Sequence, residues 1–200
     1  MRLAAIARQL NVRPGAARRL PPLVLLTDAE RLVDPLPAAR RLPRGSAVIL
    51  RHYAAPGRAA LARRLSRLCR ARGLVLLVAG DGGLAAAVRA GGIHLRERDV
   101  RRARMWRTRR PGWLITVAAH SWVSLVAAHR AGADAALLAP VFATASHPGV
   151  PTLGALRFAA LACRSPLPVL ALGGIDARTA SRLKTSGAAG LAAIGGLAGG

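Results

Sequence analysis

Arg89-Ala-Gly-Gly-Ile-His-Leu, Arg130-Ala-Gly-Ala-Asp-Ala-Ala-Leu and Thr185-Ser-Gly-Ala-Ala-Gly-Leu are three versions of one phrase. Each ends a helix with glycine, which accepts the left-handed backbone that stops a helix sharply, and then opens a short apolar run. Working outward from these, continuous apolar runs recur at fairly regular intervals: Leu23 to Asp28, Ala47 to Arg51, Leu74 to Gly80 and Gly92 to Leu95. Leu114 to His120, Ala135 to Phe142, Pro168 to Ile175 and Gly190 to Ile194 complete the series. Runs that are continuous rather than alternating suit parallel strands buried on both faces, and the stretches between most of them read as helices. Eight such units predict an α/β chain closed as a (β/α)₈ TIM barrel, with the echo falling before strands four, six and eight. A doubly wound open sheet is the competing architecture, but it rarely holds so many strands in so few residues.

At 200 residues the chain has room for one domain with one large core. We expect a basic N-terminal helix or arm over 1–22 and the barrel over 23–200. The helix, around Leu3 to Leu10, is placed to plug the barrel's bottom. Only Leu197-Ala-Gly-Gly follows the eighth run, so the usual last helix is truncated, missing or supplied from elsewhere. That would leave an apolar flank open to a partner subunit, as in a homo-oligomer. Arginines interrupt every apolar segment before it reaches the length of a membrane span, and the first 22 residues lack the apolar centre of a secretory signal. Cys69 and Cys163 are too few for a disulfide framework and read as core fillers, which fits a cytoplasmic protein.

The formal charge of +23 is extreme for a globular enzyme. It admits nucleic acid, a membrane surface or an anionic metabolite as partner. Because Arg63, Arg64, Arg67, Arg70 and Arg72 fall on one predicted helix without interleaved aromatics, a solvated helix face is the reading we favour over a nucleic-acid surface.

In such barrels the chemistry sits where the strands end, at Asp28, Arg51, Asp81, the Glu97 to Asp99 turn, His120, the Thr144 to His147 loop and two glycine pairs. Gly173-Gly174 and Gly195-Gly196 close consecutive runs and offer bare backbone amides where this barrel commonly holds a phosphate. His120 closes the fifth run, with four other histidines elsewhere in the chain. His52 is expected to point outward, His94 to pack within the barrel and His129 to be solvated on a helix. The five histidines show no metal-site spacing.

The stretch from Ala131 to Gly149, followed by Pro168-Val-Leu-Ala-Leu-Gly-Gly-Ile, resembles the thiamine phosphate synthase/TenI family. Leu25-Leu-Thr-Asp, Val48-Ile-Leu-Arg, Gly92-Ile-His-Leu and Ile115-Thr-Val-Ala-Ala-His are similar to that family's successive strand ends, so the resemblance covers about residues 23 to 197. It implies that Gly173, Gly174, Gly195 and Gly196 hold a thiazole phosphate. Arg51, Thr144, Ser146 and His147 would lie along the path to a second substrate's pyrophosphate. It also implies magnesium between Asp81 and Asp99, if the chain is a synthase. The departures are specific. Ile49, Arg51 and Tyr53 stand where the synthases carry Gln, Arg and Lys; Gly80 replaces an asparagine, Ala118 a serine and His147 a lysine. With these pyrophosphate contacts gone, the resemblance favours a TenI-like thiazole tautomerase with His120 moving the proton. A thiamine phosphate synthase using Mg²⁺ is one alternative, with Arg96 and Arg98 as replacement contacts. A catalytically silent binding or regulatory barrel is another.

Overall fold

The computed structural model of the chain describes residues 2–10, 20–144 and 149–197. Its eight strands are β1 (Leu23–Leu26), β2 (Ala47–Leu50), β3 (Val75–Ala79), β4 (Gly92–Leu95), β5 (Leu114–Ala119), β6 (Ala135–Leu138), β7 (Val169–Leu172) and β8 (Gly190–Ala193). All pair in parallel in sequence order, and β8 returns to β1, so the barrel is closed. The helices are α1 (Arg2–Gln9), α2 (Leu36–Arg40), α3 (Arg58–Arg72), α4 (Gly82–Ala87), α5 (Arg102–Arg109), α6 (Trp122–Arg130), α7 (Gly154–Arg164) and α8 (Ala177–Ala180). This is the predicted (β/α)₈ class, with the strands shorter than the apolar runs at their C-terminal ends. The clearest overshoot is β6, which stops at Leu138 because Pro140 has no N–H to extend the ladder.

Side chains alternate across the barrel wall. Val24, Leu26, Ala47, Ile49, Leu77, Leu137 and Leu170 fill the interior, where His94 Nδ1 and Thr116 Oγ1 also meet at 2.9 Å. Leu25, Val48, Leu50, Val78, Ile93 and Val117 face the opposite way and pack under the helices. Both sets are buried, which is why the strands read as unbroken apolar runs.

Two expectations change. The α1 helix does not plug the interior: Leu3, Ala7 and Leu10 form one stripe that joins the outer layer, and the helix lies against β1, β8 and α8. It thereby covers the flank at β8 and β1, and the turn Gly195–Leu197 follows β8 among the described residues. Burying leucines such as Leu3 and Leu10 contributes about 2 kcal/mol each. Leu20 and Pro21 line the barrel bottom instead.

The helix-ending phrases also differ in detail. Gly132 and Gly187 take the left-handed backbone (φ 80° and 72°), but in the first phrase that conformation falls on Arg89 (φ 52°). Gly92 is needed there for another reason: a Cβ would collide with the Leu114 backbone of the adjoining strand.

Candidate active site at the barrel mouth

Asp28, Arg51, Asp81, Arg96 and His120 follow the β1 to β5 ends, and Gly174 and Gly196 follow the β7 and β8 ends, all at one mouth of the barrel. In this closed ring of eight the β3 and β4 ends stand across from the β7 and β8 ends.

On the β1–β2 side, Asp28 Oδ2 accepts from Arg31 at 3.0 Å and lies 4.0 Å from Arg51. Burial alone would raise the Asp28 carboxyl, but hydrogen bonds and charge from Arg31, with the Glu30 N–H, leave it below its ordinary value. The Arg51 N–H donates to Thr27 Oγ1. His52, alternating with Arg51, turns away from the axis as expected, yet it is buried rather than solvated, with Nδ1 2.8 Å from Thr27 Oγ1. Burial lowers its pKa. Burial also pushes the interior His94 down to about 3, so that ring stays neutral and structural.

Arg58 is the residue that the sequence reading missed. Standing at the first turn of α3, it donates to the Ala79 carbonyl at 2.6 Å and reaches Asp81 Oδ2 at 3.5 Å. Asp81 Oδ1 meanwhile caps α4 through the Leu84 N–H at 2.8 Å. Tyr53 sits among these cations, with the Arg96 guanidinium 3.8 Å from its ring centroid and that of Arg58 at 5.8 Å. A signal was present: α3 starts right after the β2 loop, so its first residue must face the mouth. Arg98, by contrast, is exposed on the turn Glu97–Asp99.

His120 has a partner that no local motif announces. Its Nδ1 lies 2.6 Å from Glu97 Oε2, and its backbone N–H donates to Ser124 Oγ. A carboxylate can only accept, so Nδ1 carries the proton and Nε2 is left as the nitrogen that meets a ligand.

Both carbonyls of the first glycine pair are engaged: Gly173 O accepts from the Phe142 N–H at 3.0 Å and Gly174 O from Thr179 Oγ1 at 2.7 Å. Among the described residues, no loop hydrogen bond uses the N–H of Gly173, Gly174, Gly195 or Gly196. The glycines are required by the fold as well. Gly173 and Gly174 have φ of 97° and 62°, and a Cβ on Gly174 would run into Phe142 and Ala143. A bulky residue at 174 would therefore disrupt the β6 loop before it blocked any anion. Thr144 is half-buried at the end of that loop, while Ser146 and His147 lie outside the described residues.

Asp81 and Asp99 follow adjacent strands, and no recorded contact joins them. No cluster of three or more His, Cys, Asp or Glu suited to a metal ion occurs among the described residues. Cys69 is buried, its thiol pushed up to about 12 by desolvation, whereas Cys163 is exposed and so is not the core filler expected. Among the described residues, no helix is long and apolar enough to cross a membrane.

Residues 24–197 match the sequence model of a family described as thiamine monophosphate synthase. The thiamine-phosphate synthase of Chlorobium luteolum is 35% identical over 181 residues, covering 87% of this chain and 84% of that protein. That of Geobacillus kaustophilus is 36% identical over 145 residues, spanning 70% of this chain and 63% of the relative's length. Among solved structures, a thiamine phosphate pyrophosphorylase from Pyrococcus furiosus superposes with a TM-score of 0.75 at 25% identity, covering 88% of this chain and 86% of that one.

Proposed function

Because the chain belongs to the thiamine monophosphate synthase family, we propose that it is a transferase joining hydroxymethylpyrimidine pyrophosphate to a thiazole phosphate with release of pyrophosphate. The observation that carries this reading is that arginines and glycine-rich turns occupy different strand ends of one mouth. Arg51, Arg58 and Arg96 gather at the β2 to β4 ends, and the unclaimed glycine amides stand at the β7 and β8 ends. One region suits a pyrophosphate and the other a monophosphate, whereas a tautomerase would need only the second. The expected preference for a tautomerase rested on lost pyrophosphate contacts. Arg58 and Arg96 supply cations in their place, and the relatives compared are named synthases.

In this reading the thiazole nitrogen attacks the methylene carbon of the pyrimidine, a C–N bond forms, and the C–O bond to pyrophosphate breaks. The Gly173, Gly174, Gly195 and Gly196 amides hold the thiazole phosphate, and Thr144 belongs to the loop that the family resemblance assigns to the pyrophosphate. Arg51, Arg58 and Arg96 hold the pyrophosphate and stabilise the charge it gains on leaving. The Tyr53 ring keeps Arg96 in place. Forming this C–N bond transfers no proton, so His120, steadied by Glu97 at the adjoining β5 end, serves here as a substrate contact rather than as an acid or base. Asp81 and Asp99, both partly exposed carboxylates, would be the residues to hold a magnesium ion, which needs few protein carboxylates when substrate phosphates supply further oxygens. When bound, that ion would neutralise the pyrophosphate. A small phosphorylated thiazole and a pyrimidine pyrophosphate are then the partners; a nucleic acid is not required.

The test is product formation from the two substrates with Mg²⁺, alongside calorimetric titration of each anion alone. Synthase activity lost in Asp81→Ala, with thiazole phosphate and pyrophosphate binding together, supports the reading. Mutually exclusive binding of the two anions and no product would overturn it.

A further inference from the structure

The acidic residues are not spread over this molecule. Asp28, Glu30, Asp34, Asp81, Glu97, Asp99 and Asp176 all follow strand C-termini at the mouth. The remaining one, Asp134, is tied to Arg107 at 2.6 Å. Apart from that pair the outer wall is basic without compensation, and from Val100 to Ala133 the sequence contains no acid at all. On that wall, a cleft of about 590 Å³ lies between α5 and α6. Trp122, Val123 and Val126 form part of its lining, and Val123 is 75% exposed. Arg101, Arg104 and Arg130 line it too, and among the described residues none has a carboxylate within 4 Å.

We propose that this cleft docks an acidic amphipathic helix of another protein, its apolar face against Trp122, Val123 and Val126 and its carboxylates against Arg101, Arg104 and Arg130. The charge selects the occupant. A second copy of this chain would bring its own +23 and an equally arginine-lined cleft against the first. Nucleic acid would satisfy the arginines but leave the apolar lining unused. A bilayer is reached by protruding apolar side chains rather than by a concave surface. A helix carrying apolar residues at i, i+3, i+4 and i+7 with carboxylates beside them satisfies both halves of the lining. The cleft lies outside the mouth, so the proposal stands independently of the reaction.

Fluorescence anisotropy with the full chain at about 0.15 M salt tests it, because long-range attraction between exposed charges is largely screened there. The probe is a fluorescein-labelled synthetic peptide of about 14 residues, long enough for nearly four helical turns, with leucines on one face and glutamates on the other. A shuffled peptide of identical composition is the control. We expect saturable binding, about tenfold tighter for the ordered peptide. Arg101→Glu with Arg104→Glu should weaken it about tenfold, whereas Arg63→Glu with Arg64→Glu, the same charge change on α3, should cost less than about threefold. Val126→Asp should also weaken it, with thermal melts by circular dichroism showing whether each variant folds. If Val126→Asp fails to fold, the paired arginine variants decide. Equal affinity for the shuffled peptide, or equal loss from the α3 variant, overturns the proposal. So does competitive displacement of the peptide by duplex DNA or anionic vesicles, or a self-association that Val126→Asp abolishes.

Discussion

A carboxylate 2.6 Å from one imidazole nitrogen decides what the other nitrogen can do. With Nδ1–H donated to Glu97, Nε2 is the nitrogen of His120 left open, which is the orienting role a carboxylate plays for histidine in many sites. Two outcomes follow from that geometry. His120→Ala should lower kcat by about tenfold while leaving the thiazole phosphate KM nearly unchanged, since in the proposed site the glycine amides and not His120 hold that group. Glu97→Ala should shift the His120 side-chain ¹⁵N resonances toward the Nε2–H tautomer and cost about tenfold in kcat. An unaltered ¹⁵N pattern in Glu97→Ala would show that the contact does not orient the ring. His120 was legible in the sequence because it closes an apolar run, and a strand end is where this fold exposes its chemistry. Glu97 was not, because nothing in a single sequence says that a one-turn helix after β4 will lean toward the end of β5. Arg58 was hidden differently, as one arginine in a helix full of them. Only its place in the first turn of α3 separates it from Arg63 and Arg64.

The elements were easier to read than their uses. Parallel strands buried on both faces leave unbroken apolar runs, so all eight appear in the sequence close to where they fold. What the runs could not show is where the chain leaves the ladder, because Val141 and Phe142 are as apolar as the strand they follow. Nor could they show that the Leu3, Ala7 and Leu10 stripe would bury sideways against β1 and β8. The repeated phrase was legible as helix stops, but the glycine in it serves more than one purpose. Arg89 carries the left-handed backbone that Gly132 and Gly187 carry elsewhere, at a steric cost glycine would avoid. Arg89→Gly should therefore stabilise the fold by about 1 kcal/mol, partly offset by the freedom glycine gains when unfolded, as read from urea denaturation. Gly92→Ala should do the opposite and cost several kcal/mol, because the added methyl meets backbone that cannot step aside.

For the whole molecule, pH and salt act on different parts of the balance. His94 is fully buried and kept neutral down to about 3, whereas in the unfolded chain it titrates near 6.5. Between those values the unfolded chain binds more protons, so its contribution is complete above about 6.5 and fades as pH falls. His52 is shifted in the same direction. Asp28 and Asp176, both held below their ordinary value of 3.8, add acid sensitivity only at lower pH still. The urea midpoint should therefore begin to drop just below neutrality, and His94→Gln should flatten that slope.

Salt works on the arginines instead. A chain of +23 whose acids cluster at one end carries an outer wall that repels itself in the folded state more than in the expanded one. Raising NaCl from about 0.01 M to about 0.15 M shortens the screening length from about 30 Å to about 8 Å, well below the width of the barrel. Thermal stability should rise over that interval and level off beyond it, when the distances between wall arginines exceed the screening length. A melting temperature that fell with salt would mean that the attractive pairs at the mouth, Arg58 with Asp81 and Arg31 with Asp28, outweigh the repulsion of the wall. The sign of that single slope thus measures which of the two charge populations governs the stability of the fold.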